Sequence, residues 1–434
     1  MSQTEIALSG FALLVVLLLI RVPVGIAMAI AGIAGFSMVV GIDPAISMLS
    51  QVAFNSLTAY EFSIIPMFIL MGTFAAKSDL SLEMFRASEA WLGRFRGGMA
   101  YSALVASAGF AAVNGSSMAT AATMTRVALP EMERNGYDGA LSAGVIAAGG
   151  TLGIMIPPSA VFALYGFITQ QDVADLFIAG ILPGLMLVGL FMLAVVIMTW
   201  LRPGIGPRGE AMGLRATLRA SYSTWPVIIL FGVILGGIYG GIFTPTEAAG
   251  VGCAGAFLFG VARGHFLDRA SLWAVFSETV TTTAMIFAIV FSALILAQFI
   301  NLTGMPYALQ SAVTAWGLGP VGLVLLICAI CVLLGMVFES IGILLLIIPV
   351  FLPALSALGV DLIWFGILVI IVIELGLISP PIGMNVFTVK SVAPEIPLTA
   401  IFLGVMPYIV AMVLGGLLIL MFPPIATFLP NVMR

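Results

Sequence analysis

The sequence predicts an all-α polytopic membrane protein made of two inverted repeats, each with a re-entrant helical hairpin and a transmembrane helix broken by a Pro-Pro pair. Three observations carry that expectation. The 434 residues are 62% hydrophobic and only 8% charged, whereas a soluble domain carries about 25% charge. Two near-copies of one stretch, Gly153-Ile154-Met155-Ile156-Pro157-Pro158 and Gly376-Leu377-Ile378-Ser379-Pro380-Pro381, interrupt long apolar segments. Basic residues then cluster in some connecting stretches and are absent from others.

Each Pro-Pro pair falls roughly where a span passes the bilayer midplane. Proline removes a backbone donor and clashes with the preceding turn, so the pair opens the helix. Carbonyls freed in hydrocarbon cost several kcal/mol each unless something binds them. One such kink is ordinary; two in matched positions point to a transporter's binding site. An offset of 223 residues relates Pro130 to Pro353, Asp138 to Asp361, Gly153 to Gly376 and Pro157 to Pro380. The offset is 222 for Pro23 and Pro245, and 224 for Gly180-Ile-Leu-Pro183 and Gly404-Val-Met-Pro407. Prolines holding register over this span indicate duplication.

At about 20 apolar residues per span, crossings are expected near 6–20, 23–41, 60–76, 138–168, 176–201, 224–241, 246–262, 275–301, 361–390 and 397–423. The segment Ile6–Ile20 lacks a basic n-region and an Ala-x-Ala site, so it reads as a retained span. The broken helices occupy 138–168 and 361–390. The stretches 97–130 and 317–357 are interrupted by polar or small residues, at Asn114-Gly-Ser-Ser117 and Glu339-Ser-Ile-Gly342. A polar tip at membrane depth suits a re-entrant hairpin.

Lys and Arg mark cytoplasmic loops. Arg202, Arg208, Arg215 and Arg219 lie in one connector against Glu210, and Lys77, Arg86, Arg94 and Arg96 in another, while 42–59, 169–175 and 302–316 read as loops with neither. These placements agree with an outside N terminus only if both hairpins return to the side they left. The halves are then inverted: 1–201, a connector at 202–223, and 224–434. Segments 78–96 and 208–222 read as interfacial amphipathic helices, either ordinary loop helices or a membrane-surface brace.

The first tip offers Asn114, Ser116, Ser117 and Thr120, and its broken helix Thr151 with carbonyls around Gly153 and Ile156. The second offers Glu339, Ser340 and Gly342, with Glu374, Gly376 and Ser379. Neutral and acidic oxygens suit a small hard cation such as sodium, and unwound carbonyls at half-helix ends coordinate such ions. For any one Ser or Thr, simple helix–helix hydrogen bonding is the competing reading. An acid at membrane depth is a functional candidate, either as ligand or as an orienting group for Glu374. Ser117, Thr120, Pro157, Ser159, Ser340 and Asn385 are the candidate substrate contacts.

Enzyme motifs are lacking: no His-Glu-x-x-His, Gly-x-Ser-x-Gly or phosphate loop occurs. The single histidine, His265, lies in a basic loop. Cys328-x-x-Cys331 has no accompanying Cys/His pair and reads as packing rather than zinc. No nucleotide site and no organic cofactor are expected. The net charge of −4 specifies no partner, and nucleic acid is not expected.

Gly153-Ile-Met-Ile-Pro-Pro-Ser159, Ala179-Gly-Ile-Leu-Pro-Gly184, Thr244-Pro-Thr-Glu-Ala-Ala249 and Gly376-Leu-Ile-Ser-Pro-Pro-Ile-Gly-Met-Asn385 resemble the large permease subunit of tripartite ATP-independent periplasmic (TRAP) transporters. The resemblance covers essentially the whole chain. It implies sodium-coupled import of an organic acid, such as a C4-dicarboxylate or sialic acid, into a prokaryotic cell across the inner membrane. It also implies a periplasmic substrate-binding protein, a small membrane subunit supplied as a separate protein, and an elevator in which a transport domain slides on a scaffold. By the same resemblance the hairpin tips and the broken helices form two sodium sites. Two alternatives stay open: a stand-alone sodium–dicarboxylate carrier, and a non-transporting assembly or sensor subunit.

Overall fold

The computed structural model describes residues 3–209, 212–315, 317 and 319–433. Among these, every regular element is helical. The first group is α1 (Gln3–Leu19), α2 (Val24–Val40), α3 (Ile42–Thr58), α4 (Ile64–Lys77) and α5 (Leu80–Leu92). There follow α6 (Gly98–Asn114), α7 (Ser117–Arg134), α8 (Gly139–Met155), α9 (Ala160–Thr169) and α10 (Val173–Leu201). After the connector come α11 (Leu214–Tyr222), α12 (Trp225–Tyr239), α13 (Pro245–Ala262), α14 (Arg269–Leu302) and α15 (Met305–Ala315). The rest is α16 (Pro320–Gly335), α17 (Ser340–Ala357), α18 (Leu362–Ile378), α19 (Met384–Val392), α20 (Leu398–Met421) and α21 (Pro424–Met433). Five of the described helices are long and apolar enough to cross a membrane, and up to eight spans result if each bent pair is one.

Local sequence explains the boundaries. Asp138 and Asp361 cap α8 and α18, each accepting from two backbone N–H groups of the first turn. Thr244 and Glu247 form a reciprocal capping box at the start of α13. Both Pro-Pro pairs stop a helix where expected: α8 ends at Met155 and α18 at Ile378. The α8–α9 pair is bent by 43° across its break, and both Pro-Pro bonds are cis.

The apolar sequences of α8 and α18 carry no polar face, and the helices are correspondingly buried all round, from Leu141 to Met155 and from Trp364 to Ile378. Outer helices α10 and α20 present Leu193, Ile197 and Trp200, and Leu403, Val410 and Leu417, to the surroundings. Helix α2 packs along α14, and α4 along α13.

Two expectations are corrected. The stretches 42–59 and 302–316, read as loops, hold helices α3 and α15. In α3, Ala45, Met48, Val52 and Ser56 recur at helical spacing and are buried, which the lack of Lys and Arg had masked. Of the amphipathic segments, 78–96 contains α5, and among the described residues of 208–222 the helix is α11, Leu214–Tyr222. The connector before it is pinned to its neighbours: Gly97 N–H donates to Gly206 at 3.0 Å, Gly209 N–H to Gly93 at 3.0 Å, and Asp138 N–H to Ile205 at 3.0 Å. Helix α11 lies on α5, where Trp91 Nε1 donates to Ser221 Oγ at 2.7 Å. Glu210 lies outside the described residues.

Candidate functional site

Helices α6 and α7 meet at Gly115, which takes the left-handed conformation (φ +64°) that a side chain resists. The turn leaves Ser116 to cap α7, its Oγ accepting from Ala119 N–H at 3.4 Å. Asn114 Nδ2 donates to Thr120 Oγ1 at 3.3 Å. This tip abuts the break in its own half: a Cβ on Gly115 would stand 3.4 Å from the Pro158 carbonyl oxygen. Gly153 is required for the approach, since a Cβ there would lie 2.5 Å from the Ser116 carbonyl oxygen and 2.9 Å from Thr120 Oγ1.

Helices α16 and α17 turn at Met336–Glu339, not at the 339–342 stretch taken as the tip from sequence. Glu339 and Ser340 open α17, and Gly342 lies two residues further on, beside Val24 of α2. This tip also touches its break, for Gly383 N–H donates to the Met336 carbonyl at 3.1 Å. Gly335 and Gly376 meet backbone to backbone, a Cβ on Gly376 falling 2.6 Å from Gly335 Cα.

One carboxylate joins the tips. Glu374, wholly buried on α18, accepts from Ser117 Oγ at 2.5 Å through Oε2 and from Ser340 Oγ at 2.8 Å through Oε1. Ser117 and Ser340 are the first residues of α7 and α17, so two helix N-termini point their partial positive charge toward this acid.

Beside the tips lies a cavity of about 820 Å³, walled at depth by Asn114, Ser116, Ser117, Glu339 and Ser340. Exposed Arg86, Arg126 and Arg134 line it further out, with Lys77 and Glu278. Lys77 Nζ pairs with Glu278 at 2.9 Å. Thr120, Thr151, Gly153, Ile156, Pro157, Ser159, Gly376, Ser379 and Asn385 stand outside the cavity wall. Thr151 and Ser379 each donate to their own helix, to Ala148 and Leu375, both at 2.6 Å. Asn385 lies in the first turn of α19 but reaches the other half: its Nδ2 is 3.5 Å from the Ala147 carbonyl. Its Oδ1 and the Ser159 hydroxyl are buried without a protein partner, a state that bound water or ligand ordinarily resolves.

Sequence reasoning found the first tip and both breaks, and placed the second tip slightly too far along the chain. It missed the Glu374 bridge, because Ser117 lies 257 residues away from Glu374 and no local pattern signals that meeting. It also missed the basic wall of the cavity, although Arg126 sits on the Ala119–Ala122 face of α7 by helical spacing.

The oxygen donors around Gly153 and Ser116 are the neutral kind that hold a small hard cation. Comparison with known proteins bears on what the arrangement serves. The family described as "Tripartite ATP-independent periplasmic transporter, DctM component" matches residues 11–425. The C4-dicarboxylate TRAP transporter large permease protein DctM of Vibrio cholerae is 31% identical, over 98% of this chain and 97% of that protein. The ectoine TRAP transporter large permease protein TeaC of Halomonas elongata is 31% identical, over 95% and 96%. The sialic acid TRAP transporter permease protein SiaT of Haemophilus influenzae is 27% identical, over 96% of this chain and 67% of that one. Among solved structures, the YdaH transporter of Alcanivorax borkumensis superposes with a TM-score of 0.61 at 16% identity, over 86% of this chain and 88% of that one, a likeness of fold. With this match along nearly its full length, the chain belongs to the DctM family of multi-pass membrane proteins, the large permease component of TRAP transporters.

Proposed function

We propose that the chain is the translocating subunit for sodium-coupled import of an organic acid across a bacterial inner membrane. The observation that carries the reading is the cavity into which both hairpin tips project oxygen donors, Asn114, Ser116 and Ser117 from one and Glu339 and Ser340 from the other. A cation held there offsets the charge of an incoming carboxylate, so the two enter together. The relatives named for a C4-dicarboxylate, for ectoine and for sialic acid share one carboxylate-bearing chemistry of substrate. The Arg86, Arg126 and Arg134 wall supports an exit toward the cytoplasm, where basic residues collect.

The movement in this reading is an elevator. Residues 1–201 and 224–434 form inverted repeats, and the hairpins with α8, α9, α18 and α19 slide as one body against the other helices. The backbone contact of Gly335 with Gly376 and the bond from Gly383 to Met336 support the joint movement of hairpin and broken helix. A periplasmic binding protein delivers the substrate, and a small membrane subunit completes the scaffold. The two sodium sites draw on Asn114, Ser116, Ser117, Gly153 and Thr151, and on Glu339, Ser340, Gly342, Gly376 and Ser379, with Ile156 contributing its carbonyl. Of the six candidate substrate contacts, Thr120, Pro157, Ser159 and Asn385 keep that role in this reading, while Ser117 and Ser340 are assigned to sodium. The orphaned Oδ1 of Asn385 and hydroxyl of Ser159 support that last assignment.

The test is uptake of radiolabelled organic acid into liposomes, with the chain, the small membrane subunit and the binding protein added in every combination. Uptake driven by an inward sodium gradient is expected only with all three. Robust uptake by the lone chain makes it a stand-alone carrier instead. No uptake under any combination, with correctly folded components, makes it a non-transporting subunit.

A further inference from the structure

The geometry assigns Glu374 as a positioning residue that turns Ser117 and Ser340 into acceptor-only groups, fitting them for a cation and unfitting them for an anion. The inference rests on the sodium reading above and deepens it. A serine hydroxyl owns one proton and two lone pairs. In both serines that proton is committed to the same carboxylate, at 2.5 Å and 2.8 Å. What either can still turn toward the cavity it lines is a lone pair. A carboxylate substrate needs a donor and finds none at these two atoms, whereas a sodium ion needs an oxygen and finds two.

Charge balance points the same way. Glu374 is fully buried, and neither of its bonded partners carries a positive charge. Burying a carboxylate is costly unless an opposite charge compensates it. The two helix N-termini supply part of that compensation, and a cation one atom beyond the hydroxyls supplies more. Glu374 therefore raises cation affinity without being a ligand: both of its oxygens are occupied by serine and closed off from the cavity. Glu339, by contrast, is half-buried and lines that cavity.

The arrangement also spans the chain. Ser117 begins the return helix of one hairpin and Ser340 that of the other. Loading an ion at either tip is felt by the same carboxylate, so occupancy at one is communicated to the other.

Glu374→Gln tests the assignment. An amide accepts through one oxygen but donates from its nitrogen, so one serine must accept that N–H and turn its own proton toward the cavity. The readout is the thermal midpoint of the full chain in detergent, co-purified with its small subunit, as sodium replaces choline at constant ionic strength. Wild type is expected to be stabilised saturably by sodium. In Glu374→Gln the half-saturating sodium concentration should rise about tenfold, the equivalent of about 1.4 kcal/mol. Ser340→Ala should weaken sodium comparably, and Ser340→Thr, which keeps the hydroxyl, should restore it. The serine variants also serve if Glu374→Gln does not fold. A wild-type sodium effect that Glu374→Gln and Ser340→Ala leave within twofold overturns the assignment while sparing the sodium reading. No sodium effect in wild type overturns both.

Discussion

Gly144 of α8 and Gly404 of α20 meet backbone to backbone, so closely that a Cβ on Gly144 would stand 2.7 Å from Gly404 Cα. A Cβ on Gly404 would overlap the Ala140 carbonyl oxygen. Small residues permit this approach, and in a membrane, where no hydrophobic force drives helices together, close packing is the main attraction available. Gly404→Ala is therefore expected to destabilise by about 1–3 kcal/mol, the usual cost of overfilling a packed contact. Gly189→Ala, on α10 with open space around its Cβ position, should leave the thermal midpoint unchanged or slightly higher. Equal melting of the two variants would show that the α8–α20 crossing is loose.

The expected sidedness rests on the Arg-bearing connector and on the short turn between α9 and α10, which holds no Lys or Arg. Gly209 and Gln170 are both exposed. In a background lacking Cys253, Cys328 and Cys331, single cysteines at these positions should label from opposite faces, cytoplasmic at 209 and periplasmic at 170. Labelling of both from one face removes the basis for inverted repeats.

Glu89 on α5 gives a pH dependence with a definite sign. Burial raises its carboxyl above the ordinary value of 4.5, Glu131 adds to the rise, and Arg86 opposes it. A carboxyl raised in the folded state contributes stability below its unfolded value and loses it as pH rises through the folded one. Glu89→Gln should therefore melt above wild type at pH 8 and approach wild type near pH 4. An equal difference at both pH values would mean that ionisation of Glu89 costs nothing.

What was legible in the sequence was local. Pro157-Pro158 and Pro380-Pro381 located two helix breaks to within a few residues, since proline acts on its own turn. Asp138 and Asp361 entered the sequence reading only as repeat markers, although both cap a helix start, an equally local signal. The apolar runs of α8 and α18 announced spans, but not that protein would bury them on every side. Helix α3 was missed because attention to charge treated a stretch without Lys or Arg as a loop, although Ala45, Met48 and Val52 already carried the helical period. The Glu374 bridge was beyond reach, since it exists only once chain folding has brought α7 and α17 to the same point on α18.

The nested pairing of α2 with α14 and of α4 with α13 has a consequence for biosynthesis. Translation delivers α2 and α4 to the membrane long before either partner exists. Helix α4 waits until the ribosome has passed Ala262, and α2 until it has passed Leu302. During that interval Met71 and Phe74 of α4, which lie against Gly252 and Phe257 of α13 in the finished protein, face lipid or insertion machinery. A nascent chain stalled at the connector thus leaves those faces of α2 and α4 without the helices that cover them in the finished protein.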